Sequence, residues 1–421
     1  MSSVAVLTPW FPNQPGDRAG AFVADSALAV TRTGWRTGVL VVRPWLPRWA
    51  QRFADEMRGN VDVAAFPLAA LQMLRVPVLP RLTLQPMTDV VSDPIIAKAF
   101  ESLVRSISAE VIHAQTEGMV PIAAQVAGRL HLPLVVTLHG ANMHPRYLQS
   151  RYRQRRLRPA LAAADRVILV GEPLRDFFAA YIGSGSNFEV VPNGVDLPPA
   201  MPDKPALEDG PRRLISVANL HEGKGIDITL RALAQLKSEG ISDWTYRIIG
   251  DGRERAALLR LAAELGLTGN VTFVGAVRHA EIFEHLAVNE IFALPSYREA
   301  FGIAYLEAMA MGLLTIGVIG QGPSQFITNG ENGILVPPRD VEALAAKLRE
   351  ILTGDRRHWQ EIARAGQRTV QKAYTWDSHA RRLIEIYERV IEYKARPADA
   401  TAPEMIDQTR WSLTASGAKG G

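Results

Sequence analysis

The 421-residue chain contains no cysteine. Disulfides, thiolate metal sites and thiol nucleophiles are excluded, and a reducing compartment fits. No long apolar run is present either. The longest, around Ala308 to Ile319, is interrupted by Gly312 and falls short of the roughly 20 residues that span a bilayer. The N-terminal MSSVAVLTPW has no basic segment ahead of an apolar one, so it reads as a first strand and not as a leader. These absences point to a cytoplasmic chain without a membrane span. No carboxylate pair resembles an Asp-x-Asp metal clamp, and the nine histidines show no ligand spacing, so neither a metal nor a cofactor is expected. A dinucleotide fingerprint, G-x-G-x-x-G directly after a first strand, is missing from both halves. Lysine is scarce at the start: residues 1–200 hold 20 Lys+Arg, of which Lys98 alone is lysine, against 15 Asp+Glu. The remainder holds 27 against 28, so the net +4 comes from the first half, which suggests an anionic partner there.

What is present is ordinary globular composition, 47% hydrophobic and 21% charged, in a chain too long for one core. Short β-branched runs alternate with helical stretches. Residues 4–9, 38–44, 111–115, 134–140 and 166–171 read as strands, with helices over 21–34, 95–107 and 120–131. Strands recur at 213–220, 245–252, 270–277, 290–296 and 313–320, again with helices between them. This alternation predicts an α/β chain of two doubly wound Rossmann-like domains facing across a cleft, with ligands at the carboxyl ends of the strands. The expected divisions are an N-terminal Rossmann-like domain over 1–198, a Pro-rich linker over 199–211, and a C-terminal Rossmann-like domain over 212–376. A helix over 377–394 would return to the first domain, ahead of a disordered tail over 395–421.

The most specific string is SYREAFGIAYLEAMAMG, residues 296–312. Glu299 closes a strand-to-helix loop, Ala300, Phe301, Gly302 and Ile303 open a helix, and Glu307 follows on it. A helix N-terminus suits phosphate, Gly302 allows close backbone approach, and the two carboxylates can accept from sugar and ribose hydroxyls. Two glutamates on an amphipathic helix are otherwise ordinary, and the whole string makes the difference. His139 ends a buried strand ahead of Gly140; a packed histidine and a functional one are both open. The run HPRYLQSRYRQRRLRPA (144–160), with Arg146, Arg151, Arg153, Arg155, Arg156 and Arg158, reads as a solvated helical face, as contact with an anionic membrane, or as a site for a lipid-pyrophosphate acceptor. Trp45, Trp49 and Phe53 among arginines add to the membrane option, which would place the chain peripherally on the inner face of the cell membrane. Nucleic acid is disfavoured by the near-neutral remainder.

At the 296–312 string the chain resembles glycosyltransferase family 4, retaining GT-B enzymes that use nucleotide sugars, with the tone of bacterial cell-envelope polysaccharide transferases of the teichuronic acid type. ANLHEGKGID (218–227), IGDGRER (249–255), FVGAVRHAEI (273–282) and the stretch 320–340 are similar in order, as are TLHG (137–140) and VVPNGVD (190–196). The resemblance implies transfer of a hexose from a UDP- or GDP-linked donor to a glycan or lipid-linked acceptor, with retention. It implies that Glu299 holds the donor sugar, Glu307 the ribose, and the amides of Ala300 to Ile303 the diphosphate or sugar. Lys224 would neutralise the leaving phosphate, Val277 would bond the base, Gly20 would admit the phosphate, and His139 would sit beside the sugar. Asn219 stands where the family often has arginine, so the phosphate clamp rests on Lys224 and helix amides, with Arg298 or Arg253 as candidates to compensate. A nucleotide-sugar epimerase or a non-catalytic nucleotide-sugar-binding subunit on the same fold are the competing readings.

Overall fold

A computed structural model describes residues 1–17, 19–45, 59–77, 85–140, 148–183, 187–198 and 210–396. The expected linker and tail therefore lie mostly outside the described residues, as do Arg146, Trp49 and Phe53. In chain order the first half forms β1 (Ser3–Thr8), α1 (Ala21–Arg32), β2 (Arg36–Trp45), β3 (Ala70–Pro77), α2 (Gln85–Ser106), β4 (Val111–Gln115), α3 (Val120–Leu130), β5 (Leu134–Leu138), α4 (Arg151–Ala162), β6 (Arg166–Leu169), α5 (Pro173–Ile182) and β7 (Phe188–Val190). The second half forms β8 (Arg212–Val217), α6 (Ile226–Ser238), β9 (Trp244–Ile249), α7 (Arg255–Glu264), β10 (Val271–Gly275), α8 (His279–Ala287), β11 (Ile291–Ala293), α9 (Ile303–Ala310), β12 (Leu314–Val318), β13 (Ile334–Val336), α10 (Val341–Thr353), α11 (Arg356–Ala373) and α12 (Trp376–Ala395).

Two parallel sheets result, in the orders β3-β2-β1-β4-β5-β6-β7 and β10-β9-β8-β11-β12-β13. The doubly wound α/β architecture expected from the alternating pattern is present twice. Three strands escaped the sequence reading. β3 carries Gln72 and Arg75 within its run, while β7 and β13 are only three residues long. The helix expected from residue 95 begins ten residues earlier, at Gln85.

Side chains alternate across the first sheet. Ala5, Leu7, Leu40, Val42, Ile112 and Ala114 face one core, with Ile96, Phe100 and Leu103 of α2 packed in the same cluster. Val4, Val6, Val39, Val41, Val111 and Val135 face the other, which holds residues of α1 together with Trp376, Leu383, Ile386 and Tyr387 of α12. The last helix among the described residues, α12, thus completes the core of the first sheet. Its entry is tightly defined: Val195 N–H donates to Tyr374 O across 2.9 Å, and a Cβ on Gly194 would stand 2.3 Å from the Trp376 nitrogen.

In each sheet the strand order reverses once, between β1 and β4 and between β8 and β11. The loops leaving the carboxyl ends at such reversals diverge and open a crevice. Here they carry Gly20 after β1, leading into α1 with Phe22 and Asp25 in its first turns, Ala218 to Lys224 after β8, and Leu294 to Gly302 after β11.

Candidate active site

Residues from the reversal points of both sheets line one cleft of about 250 Å³. Its second-half wall is built by two loops pressed together. Gly225 has φ of 68°, and a Cβ there would lie 2.3 Å from Pro295 O, so only glycine lets the loops approach this closely. Ser296 Oγ and the Tyr297 N–H both donate to Gly223 O, each across 3.0 Å. The consequence is a fixed pairing of Lys224 with Glu299, Nζ to Oε2 at 2.6 Å, with both side chains largely shielded from water.

Gly302, at φ 97°, starts α9, and a Cβ there would strike the Tyr305 ring at 2.7 Å. Among the described residues no side chain caps this N-terminus, so its first amides and the positive end of the helix dipole face the cleft, which Gly302, Ile303 and Ala304 line. Glu307, one turn further on and 5% exposed, lines it too; its Oε1 meets His279 Nε2 at 2.7 Å. That hydrogen bond, before any other influence, raises the His279 pKa above its usual value.

The opposite wall brings Phe22 and Asp25 of α1, with Asp196 from the connection between the halves. Burial, reinforced by Asp196, raises the Asp25 carboxyl to about 7, and burial likewise raises Asp196. Three carboxylates and one imidazole from separate elements therefore share the cleft with the Lys224–Glu299 pair.

The candidates named from the sequence divide into groups. Asn219, Lys224, Glu299, Gly302, Ile303 and Glu307 line the cleft together. Gly20 and Ala300 flank it without lining it. Gly20 has φ of 78° and a Cβ there would meet Phe11 N at 2.4 Å, while the Ala300 carbonyl packs where Gly171 leaves room. The Phe301 side chain is core, edge-on to Phe326. Val277 lies between β10 and α8, outside the lining. His139 stands one layer back: Phe22, which does line the cleft, packs on its ring with centroids 4.5 Å apart. Asn219 is exposed, and Arg253 and Arg298 are exposed and do not line the cleft.

Asp25, Asp196, His279, Phe22 and Trp376 also line the cleft and were not singled out from the sequence. A signal existed for two of them. Asp25 lies one helical turn beyond Ala21 on the helix that Gly20 opens, and His279 starts the helix just after Val277.

The Glycosyltransferase Family 4 model matches residues 48–198, and the Glycosyl transferases group 1 model matches residues 199–368. The two run on without a gap. The chain belongs to glycosyltransferase family 4.

Among relatives of this family 4 chain, a GDP-mannose-dependent alpha-(1-6)-phosphatidylinositol monomannoside mannosyltransferase of Mycolicibacterium smegmatis is 29% identical over 53% of the chain. The match spans 62% of that enzyme's length, less than two thirds. A glycogen synthase of Mycobacterium tuberculosis is 28% identical over 67% of the chain and 69% of its own length. A putative colanic acid biosynthesis glycosyltransferase of Salmonella typhimurium is 24% identical over 71% of the chain and 72% of its own. Among solved structures, Anabaena HepE in complex with UDP and glucose superimposes with a TM-score of 0.69 at 19% identity, covering 92% of this chain and all of that one. The structural likeness establishes the GT-B glycosyltransferase fold, and the relatives include bacterial cell-envelope and polysaccharide enzymes.

Proposed function

We propose that this glycosyltransferase moves a hexose from a UDP- or GDP-linked donor to a glycan or lipid-linked acceptor and retains the anomeric configuration. The observation that carries the reading is the single wall on which Lys224, Glu299, the α9 N-terminus and Glu307 meet. The diphosphate lies against the first amides of α9 with Lys224 beside it, where positive charge opposes what arrives as the donor bond breaks. Glu299, released by Lys224, accepts from the sugar hydroxyls. Glu307 keeps Oε1 on His279 and offers its other oxygen to the ribose diol.

The bond between the anomeric carbon and the diphosphate oxygen breaks, and its electron pair leaves with the phosphate. The acceptor hydroxyl forms the new bond on the same face of an oxocarbenium-like carbon, and its proton passes to the departing phosphate oxygen. No carboxylate nucleophile is required. Asn219 brings no charge to the clamp, which leaves Lys224 as its cation.

A thermal-shift screen against UDP-, GDP-, ADP- and TDP-sugars tests the donor class, since a ligand that binds only the folded chain raises its melting temperature. NMR of the transferred glycoside then reads the anomeric configuration. An inverted product would overturn retention, and interconversion of sugar nucleotides without acceptor would make the enzyme an epimerase.

A further inference from the structure

The first half of α2 has its polarity reversed. Met87, Val90, Val91 and Ile95 are 62%, 74%, 54% and 43% exposed, while Thr88 and Ser92 are buried. These four are a third of the twelve exposed large hydrophobic residues among the described residues, concentrated within nine positions. Met87, Val91 and Ile95 recur at every fourth position with Val90 beside them, so they form one stripe, and exposed Lys98 continues it. From Ile96 onward the ordinary order returns, with Ile96, Ala97, Phe100, Leu103 and Val104 in the core.

Polar contacts fix this rotation. Asp89 and Asp93 both bond Arg156 of α4, Tyr152 O–H donates to Asp89 across 3.0 Å, and Ser92 Oγ donates to Thr88 O across 2.8 Å. Turning the stripe inward would break the three contacts to α4, while the Ser92 bond within α2 satisfies its buried hydroxyl. On α4 itself Arg151, Arg155 and Arg158 recur at i, i+4 and i+7 and are exposed along one face. Arg156 thus holds an apolar stripe and an arginine row on adjoining helices.

We propose that the α2 stripe and the α4 arginine row form a docking surface for an anionic lipid bilayer. The apolar side chains enter the boundary between headgroups and acyl chains, and the guanidinium groups meet lipid phosphates. Charge decides the occupant. A two-fold pairing of copies would set arginine row against arginine row, while the neighbouring carboxylates of Asp89 and Asp93 are already held by Arg156. Among the described residues no helix is long and apolar enough to cross a membrane, so the helix lies on the surface. The inference is independent of the donor site.

The absence of cysteine makes the test direct. Val90→Cys carries an environment-sensitive fluorophore, and Leu259→Cys on exposed α7 serves as the control. With phosphatidylglycerol-containing vesicles the Val90 probe shifts to the blue and brightens, the Leu259 probe does not, and pure phosphatidylcholine vesicles move neither. The double variant Val90→Asp, Val91→Asp lowers co-sedimentation with anionic vesicles by about tenfold or more, with an unchanged melting temperature because both sites are exposed. Replacing Arg151 and Arg155 with glutamine removes the preference for anionic lipid. A Val90 probe indifferent to vesicles, or sedimentation unaffected by the aspartates, overturns the proposal. So does a lipid-free dimer that the same aspartates abolish, which would assign the surface to a second copy.

Discussion

The Gln115 side-chain oxygen lies 2.6 Å from His139 Nε2. An amide oxygen only accepts, so His139 carries its proton on Nε2 and keeps the lone pair on Nδ1. The arrangement reaches further. His113 Nε2 accepts from Thr137 Oγ1 at 2.7 Å with the Gln115 side-chain nitrogen 3.4 Å away, and His113 Nδ1–H donates to the Tyr387 hydroxyl oxygen at 2.6 Å. Burial lowers the His139 pKa to about 3, so the ring stays neutral through the physiological range. A neutral His139 can steady developing positive charge only through its lone pair or its carbonyl.

Gln115→Glu replaces the amide with a carboxylate that favours the imidazolium. The variant is expected to raise the His139 pKa and to introduce a limb in the pH–kcat profile between about pH 5 and 8, where histidine titrates. Nitrogen-15 NMR of the ring reports the tautomer in the same samples. A raised His139 pKa with an unchanged pH–rate profile would remove His139 from the reaction.

Glu299→Gln keeps the shape and removes the charge. Transfer should fall by about 100-fold while binding of the nucleoside diphosphate survives. Lys224→Met acts on both functions: diphosphate binding weakens more than nucleoside binding, and the stranded Glu299 costs about 1–3 kcal/mol of stability. The double variant Lys224→Met, Glu299→Gln should recover that stability without recovering transfer. Denaturant melts of the three variants give the coupling energy directly, and additive losses would show that the 2.6 Å pair contributes nothing.

The second half was easier to read than the first, for a physical reason. The loops that build its wall are short and contiguous with their strands, so Lys224, Glu299 and Glu307 sit within a few residues of glycines whose backbone geometry the sequence advertises. Gly225 and Gly302 are both at positive φ. Asp25 and His279 had only helix starts beside them and Asp196 only the glycine of the connection, and none of these says that the three meet, because their meeting depends on how the two sheets face each other. The arginine run shows the same limit. Its spacing separated the exposed Arg151, Arg155 and Arg158 from inward Arg156 only once Asp89 and Asp93 on α2 were in place. The α2 stripe was hidden because period alone does not say which face of a helix is outward.

Metal removal should leave activity intact. Lys224 and the α9 N-terminus already supply positive charge where the diphosphate would lie. Transfer is expected to persist in excess EDTA at the rate measured without it. A complete loss restored by manganese would mean that these groups do not suffice.

The pH dependence of stability should reveal Asp25. Its folded pKa of about 7 stands above the ordinary 3.8, so the folded chain binds this proton more tightly than the unfolded one. The associated stabilisation is complete below about pH 3.8 and is lost as the pH rises through about 7. His279, raised above 6.5 by Glu307, has the same sign at higher pH: its contribution is complete below 6.5 and lost above its folded pKa. Buried His113, His139 and His379, lowered to about 3, 3 and 4, act oppositely, and their contribution is lost as the pH falls. The wild-type curve mixes these effects, so the difference between wild type and Asp25→Asn isolates the carboxylate. Each pKa unit is worth about 1.4 kcal/mol, so the rise from 3.8 to about 7 implies that the variant gains about 4 kcal/mol at pH 8 relative to its standing at pH 4. Ionised Asp25 also shares the cleft with Glu307 and Asp196, where it repels an anionic donor. The donor KM of the wild type should therefore climb above pH 7, and that of Asp25→Asn should not. Parallel KM curves for the two proteins would show that Asp25 does not sense the donor.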